Sequence, residues 1–288
     1  MNSSNFKGGI HTDSITVYRR AGSLVMRSRH SSRSHVTATV EQMRNRACFR
    51  NQVNLWRTFP KECRPMFEGR RAGVTDYNMF VSHNMQCGHV YLTRREAENG
   101  ACVLTPVAVS DGTLPPIVLS HDGVAPVTDL AVGALTVDAG TTVAALSAAI
   151  VRGNGGYCFG DELVFFLGLQ QWNTRLGLPE VAIHCTRLVL SSVDRRTVYD
   201  ATAGGMGFAV RGGRLAAASE VQGGMAWVHV RRRGGDVLLS SQHMLCSNPF
   251  IARYSGREAL EAACRSYGVK LERPFLVPDG GAAGCYGV

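Results

Sequence analysis

Apolar and polar positions alternate in two short runs, residues 15–20 and 23–29, on either side of Gly22. That pattern predicts a β-hairpin. From residue 39 the period lengthens to that of a helix. Thr39 and Gln42 have the spacing of a capping box, and Pro60 supplies the stop. At about 100° per residue, Cys48, Phe49, Val53, Leu55, Trp56 and Phe59 share an arc of roughly 160°, the width of a core-facing stripe. Arg46, Arg50 and Arg57 fall within roughly 40° on another side. The expected helix therefore buries one face and displays a row of guanidinium groups on another.

Residues 60–74 read as a loop carrying Arg70 and Arg71, and Thr75 is placed to cap a second helix running to about residue 85. Beyond residue 88 the chain changes to short apolar runs broken by Gly, Pro, Asp and Asn. Strands are expected at 89–93, 102–109, 116–120, 127–131, 134–137, 162–170, 181–190, 208–210 and 214–218. The clearest hairpin pairs 225–231 with 237–244 across Gly234 and Gly235. Two helices interrupt the strands. One spans 142–152; the other spans 255–267, with Ser255 and Glu258 spaced as a capping box and Gly268 at its end. The expected fold is α+β: a small basic module of hairpin and helices over residues 1–88, then a β-rich, sandwich-like region over 89–288 with two short helices. Residues 1–14 and 280–288 read as loose ends, and 27–35 as a basic connector.

Charge sharpens this division. The chain of 288 residues carries a net +9, yet residues 1–75 alone hold 14 Lys and Arg against 4 Asp and Glu, a net of +10. Twelve of those fourteen are arginines, the side chain that meets phosphate or carboxylate in a planar, two-pronged fashion. An anionic partner is implied, and nucleic acid is the commonest. The N-terminus lacks the apolar stretch of a signal peptide, and no apolar run reaches the ~20 residues of a membrane span. The nine cysteines are scattered and form no C-x-x-C pair. They read as small buried hydrophobes in a reducing cytoplasm rather than as a disulfide framework.

Candidate chemistry is sparse. His83, Cys87 and His89 supply three potential zinc ligands without a fourth, so a helix end running into a strand is the preferred reading. The glycine-rich stretch 153–160 follows a helix and precedes a strand, the reverse of a phosphate-cradling loop. Asp161 and Glu162 are expected to be solvated acids at a strand entrance. His184 and Cys185 are neighbours on a strand and so face opposite sides, and His229 reads as a half-buried structural residue. No recognisable nucleophile motif is present. Catalytic residues, metal ligands and cofactors are accordingly all expected to be none.

The order of several short motifs resembles a protein family of Bacteroidota and their mobile elements for which no activity is known. The matching residues are Val17 and Tyr18, Met26 to Arg29, the helix from Gln42 to Phe49, and Asp76 to Asn84. They continue with Thr142, Val143 and Ser147, then Gly160 to Leu163, Gly223 to His229, and Ser266 to Gly268. The resemblance covers roughly residues 7–276 and implies the architecture alone. The residues themselves point to a cytoplasmic, non-enzymatic protein that grips the nucleic-acid backbone through Arg46, Arg50 and Arg57, aided by Arg27, Arg29 and Arg33. With Phe49 and Trp56 on the expected core side, sequence-neutral phosphate contact is the implied mode. The alternative is a structural or assembly protein of a phage or other mobile element, self-associating through its β region into a homo-oligomer. Neither a membrane nor a small-molecule substrate is implied.

Overall fold

The computed structural model describes residues 10–11, 15–20, 23–28, 38–202, 204–269 and 271. A three-stranded antiparallel sheet of β1 (Ile10–His11), β2 (Ile15–Arg20) and β3 (Ser23–Ser28) opens the chain; the alternating pattern predicts the β2–β3 hairpin, whereas β1 lies in the stretch expected to be loose. The Gly22 turn, most of the basic connector and the C-terminal tail lie outside the described residues. Next come α1 (Val40–Thr58), β4 (Met66–Phe67), α2 (Asp76–Asn84), α3 (Arg94–Glu98), β5 (Ala108–Asp111), β6 (Leu119–His121), β7 (Pro126–Ala131) and α4 (Val143–Gly153). The second half holds β8 (Glu162–Asn173), β9 (Leu178–Val189), α5 (Val198–Ala201), β10 (Ala209–Arg211), β11 (Arg214–Ala216), β12 (Gly223–Arg233), β13 (Asp236–Leu239), β14 (Gln242–His243), β15 (Leu245–Ser247), α6 (Phe250–Ser255) and α7 (Arg257–Ser266). The fold is α+β, with a β-rich region and a few short helices.

A central antiparallel sheet, β13-β12-β8-β9, organises the packing, and β15 pairs with the first residues of β12. β8 reads as an unbroken apolar run because both its faces are covered. Val164 and Phe166 point to one side, into a core shared with Leu55, Trp56 and Phe59 of the α1 segment and Phe80 of α2. Leu163, Phe165 and Leu167 point to the other, against Leu146 and Ile150 of α4 and a small sheet ordered β10-β11-β7-β6. The Trp56 ring lies 5.3 Å from Phe80, and Phe59 lies 5.8 Å from Phe166, so an aromatic chain ties the helices to the sheet. Residues on both sides of position 88, the boundary read from the sequence, thus belong to one core. The β12–β13 hairpin turns at Gly234 and Gly235, whose φ of 57° and 94° are the left-handed values a two-residue turn demands.

Four expected elements differ. The apolar stretch from residue 101 to 107 is not a ladder strand, although all of it but Pro106 is buried. Its backbone pairs instead with side-chain amides: Asn51 with both groups of Val103, Gln170 with Leu104 N–H and Cys102 C=O, and Asn248 with Leu104 C=O. Asn84 does the same at Ala108 and Gln242 at Ile117, each amide giving one bond and taking one. Residues 89–93 and 134–137 likewise form no strand. The Ser255 capping box is absent, because Ser255 closes α6 and α7 starts beyond Gly256 without a side-chain cap.

Candidate nucleic-acid interface

Helix α1 begins as its sequence dictates. Thr39 accepts the Gln42 N–H through its hydroxyl, and the Gln42 amide oxygen accepts the Thr39 N–H. Its buried face, however, is turned by roughly 90° from the one the apolar residues alone predict. Val40, Met43, Ala47, Cys48, Asn51, Asn54, Leu55 and Trp56 are buried, whereas Phe49 is 45% exposed and Val53 is half-buried. The cause is the pair of asparagines. Asn51 exchanges two hydrogen bonds with Val103, at 2.8 and 2.9 Å, and the Asn54 amide donates to the carbonyls of Ala97 and Ala101. These buried amides fasten the helix to the 97–104 segment and set its rotation. Phe49 is thereby moved out of the expected core and onto the arginine side.

Arg46, Arg50 and Arg57 share one flank of the helix, roughly 120° round from the centre of the buried face. Arg46 and Arg57 are exposed, and Arg50 is half-buried with its guanidinium 5.0 Å from the Tyr267 ring centre. Among the described residues none of the three pairs with a carboxylate, although nine other arginine–carboxylate pairs form. From Arg46 to Arg57 the row spans ~16 Å at the rise of an α-helix. Together with Phe49, Val53 and Met85 the three arginines line an open groove of about 730 Å³. Glu98 stands at its rim and is held by Arg94 at 2.9 Å. Of the six arginines read from the sequence as contacts, the structure brings these three together. Arg27 contributes its backbone to β3, and Arg29 and Arg33 lie outside the described residues.

A second constellation departs from the expectation of solvated acids. Asp161 and Glu162 are buried at the start of β8. The Asp161 carboxylate accepts from Arg231 at 2.6 and 2.8 Å, from the Cys158 N–H at 2.9 Å and from His229 Nε2 at 2.9 Å. An ionised carboxylate only accepts, so His229 carries its proton on Nε2. Burial alone raises the Asp161 carboxyl, yet the Arg231 guanidinium, the Cys158 N–H and His229 outweigh it and hold the group below the usual carboxylate range. Burial pushes His229 the other way, down, against the opposing pull of Asp161. The Tyr157 ring roofs the imidazole at 4.1 Å, and Arg231 also donates to the Gly156 carbonyl at 2.7 Å. The cluster clamps the 154–161 loop onto β12. Glu162 is held by Arg187 and Arg232 at 3.3 and 2.9 Å.

The remaining candidates disperse. His83 stacks on Phe67, and His89 Nδ1 lies 3.7 Å from Cys48 Sγ. Cys63 and Cys185, expected as separate thiols, are joined by a disulfide that ties the segment after α1 to β9. Among the described residues no helix is long and apolar enough to cross a membrane. No family model matches the chain, and neither a curated protein nor a solved structure is significantly similar to it.

Proposed function

We propose that the protein binds nucleic acid without enzymatic action, through the arginine row of α1. The observation that carries this reading is the open face on which Arg46, Arg50 and Arg57 stand without a carboxylate partner among the described residues. Three uncompensated guanidinium groups along ~16 Å form a linear cationic track suited to a phosphate backbone. The charge excess of residues 1–75 adds a long-range field of the same sign. A cytoplasmic setting, where nucleic acid is at hand, suits this role, whereas the Cys63–Cys185 disulfide is a bond more usual outside a reducing compartment.

The test is fluorescence anisotropy of the full chain with labelled oligonucleotides across a salt titration. Three phosphates neutralised give a log–log slope of about −2.7 on duplex DNA, or about a 40-fold loss between 50 and 200 mM salt. Joint replacement of Arg46, Arg50 and Arg57 by Gln removes that component of the slope. Failure to bind at ~50 mM salt, or binding indifferent to salt, refutes the proposal.

One observation favours a second reading. Leu24 and Met26 point to the same side of the edge strand β3 and are 62% and 65% exposed. An apolar sheet edge of this kind suits self-association in an assembly protein of a phage or other mobile element. That reading expects a homo-oligomer in nuclease-treated protein, measured by light scattering, that Leu24→Lys with Met26→Lys dissociates.

A further inference from the structure

Phe49 is the residue on the arginine face that phosphate contact does not explain. It is 45% exposed, and on the helix surface its neighbours are Arg46 three residues before it and Val53 four residues after it, with Arg50 lining the same groove. Val53 and Met85 line the same groove, so apolar side chains stand among the three arginines there. An empty groove leaves this aromatic surface in water, which a matched flat partner removes.

We propose that the groove takes single-stranded nucleic acid, with one base stacked on Phe49 and the flanking phosphates held by Arg46, Arg50 and Arg57. The inference rests on the nucleic-acid reading of the same face and narrows its substrate class. A duplex keeps the faces of its bases stacked inside and offers a side chain only their edges and the backbone. It can satisfy the arginines but leaves Phe49 uncovered. A single strand offers phosphates and free base faces alternately, and the Phe49 neighbourhood alternates in the same way. Two further details fit this occupant. Arg50 is preset by the Tyr267 ring beneath its guanidinium, so little of its freedom is lost on meeting phosphate. The Glu98 carboxylate, the acid at the rim, is engaged by Arg94, which tempers its repulsion of a phosphate.

The experiment compares a labelled oligo-dT strand with a duplex of equal length on full-length protein. Phe49→Ala is expected to weaken the single strand by about five- to 150-fold, the range of one lost base–aromatic stack, while its salt slope and the duplex affinity stay unchanged. Phe49→Leu keeps the volume without the aromatic face and is expected to lose most of the same affinity; Phe49→Tyr is expected to retain it. In Phe49→Trp the emission of the new indole changes on adding the single strand and not on adding the duplex. If Phe49→Ala and Phe49→Leu bind the single strand like the wild type while the arginine triple variant loses both ligands, the stacking inference falls and the nucleic-acid reading stands. If the wild type binds neither oligonucleotide and binds polyglutamate through the same arginines, both fall.

Discussion

Asn51 decides which way α1 faces, and its removal tests that claim. The side chain is completely buried, and its amide exchanges two hydrogen bonds with Val103, donating at 2.9 Å and accepting at 2.8 Å. Asn51→Ala deletes both bonds and leaves the Val103 N–H and C=O buried without a partner. Each orphaned backbone group costs about 1–3 kcal/mol, so the pair costs about 2–6 kcal/mol. The better helix propensity of alanine returns at most ~0.7 kcal/mol. A net loss of about 1–5 kcal/mol follows, a large share of the ~5–15 kcal/mol that holds a typical domain.

Urea unfolding followed by far-UV circular dichroism measures the loss as a lower midpoint at constant m-value. Asn45→Ala is the control: Asn45 is exposed on the same helix, and its loss is expected to stay within ~0.5 kcal/mol. Hydrogen exchange adds a local readout, because the Val103 amide loses its acceptor and with it its protection. If Asn51→Ala unfolds at the wild-type midpoint, the amide does not fasten the helix. The rotation that sets Arg46, Arg50, Arg57 and Phe49 on one open face then loses its physical basis.

The same rotation separates two aromatics that the sequence groups together: Trp56→Ala should cost roughly 3–5 kcal/mol in thermal or urea unfolding, and Phe49→Ala well under half of that, because one ring is buried and the other is 45% exposed. Acid should act through the loop clamp. His229 is depressed in the folded state, so the unfolded chain takes up a proton first and stability falls as pH drops below about 6.5; Asp161 is depressed too, and its share is lost further down, below about 4. Unfolding free energies of the wild type and His229→Gln across pH 2–8 check this: the variant should lose His229's share of the upper limb, leaving that of His243, which burial also depresses, and keep the lower limb.

Elements whose backbone groups find partners within a local pattern were legible. The hairpins, the Thr39 capping box, α2 and α4 follow from periodicity and from turn and cap residues, each of which acts over a few positions. The segment around 101–107 was not, because an apolar run rich in valine and leucine fits a strand and a buried irregular segment equally well. Its partners are amides 50 to 145 positions away, Asn51 and Asn248 among them, and nothing near the run announces them. The cluster around Asp161 was hidden for the same reason. An Asp at a strand entrance reads as solvated until Arg231 and His229, some 70 residues later, are brought opposite it by the pairing of β8 with β12.

The phase error in α1 has a sharper origin, and it bears on function. A hydrophobic wheel assumes that apolar residues mark the core, yet burial also accepts a polar group whose hydrogen bonds are met. Asn51 and Asn54 meet theirs on Val103, Ala97 and Ala101, so the wheel counted them on the wet side. Leaving them out drew the expected arc towards Phe49 and Val53, and with it the conclusion that no aromatic stands among the arginines. With both amides turned inwards, Phe49 emerges near Arg46, and the face changes from a plain cationic track into one with apolar side chains among the arginines. The residues that alter the expected ligand, from any phosphate backbone to a strand with free bases, are therefore two asparagines whose amides are spent on the 97–104 segment.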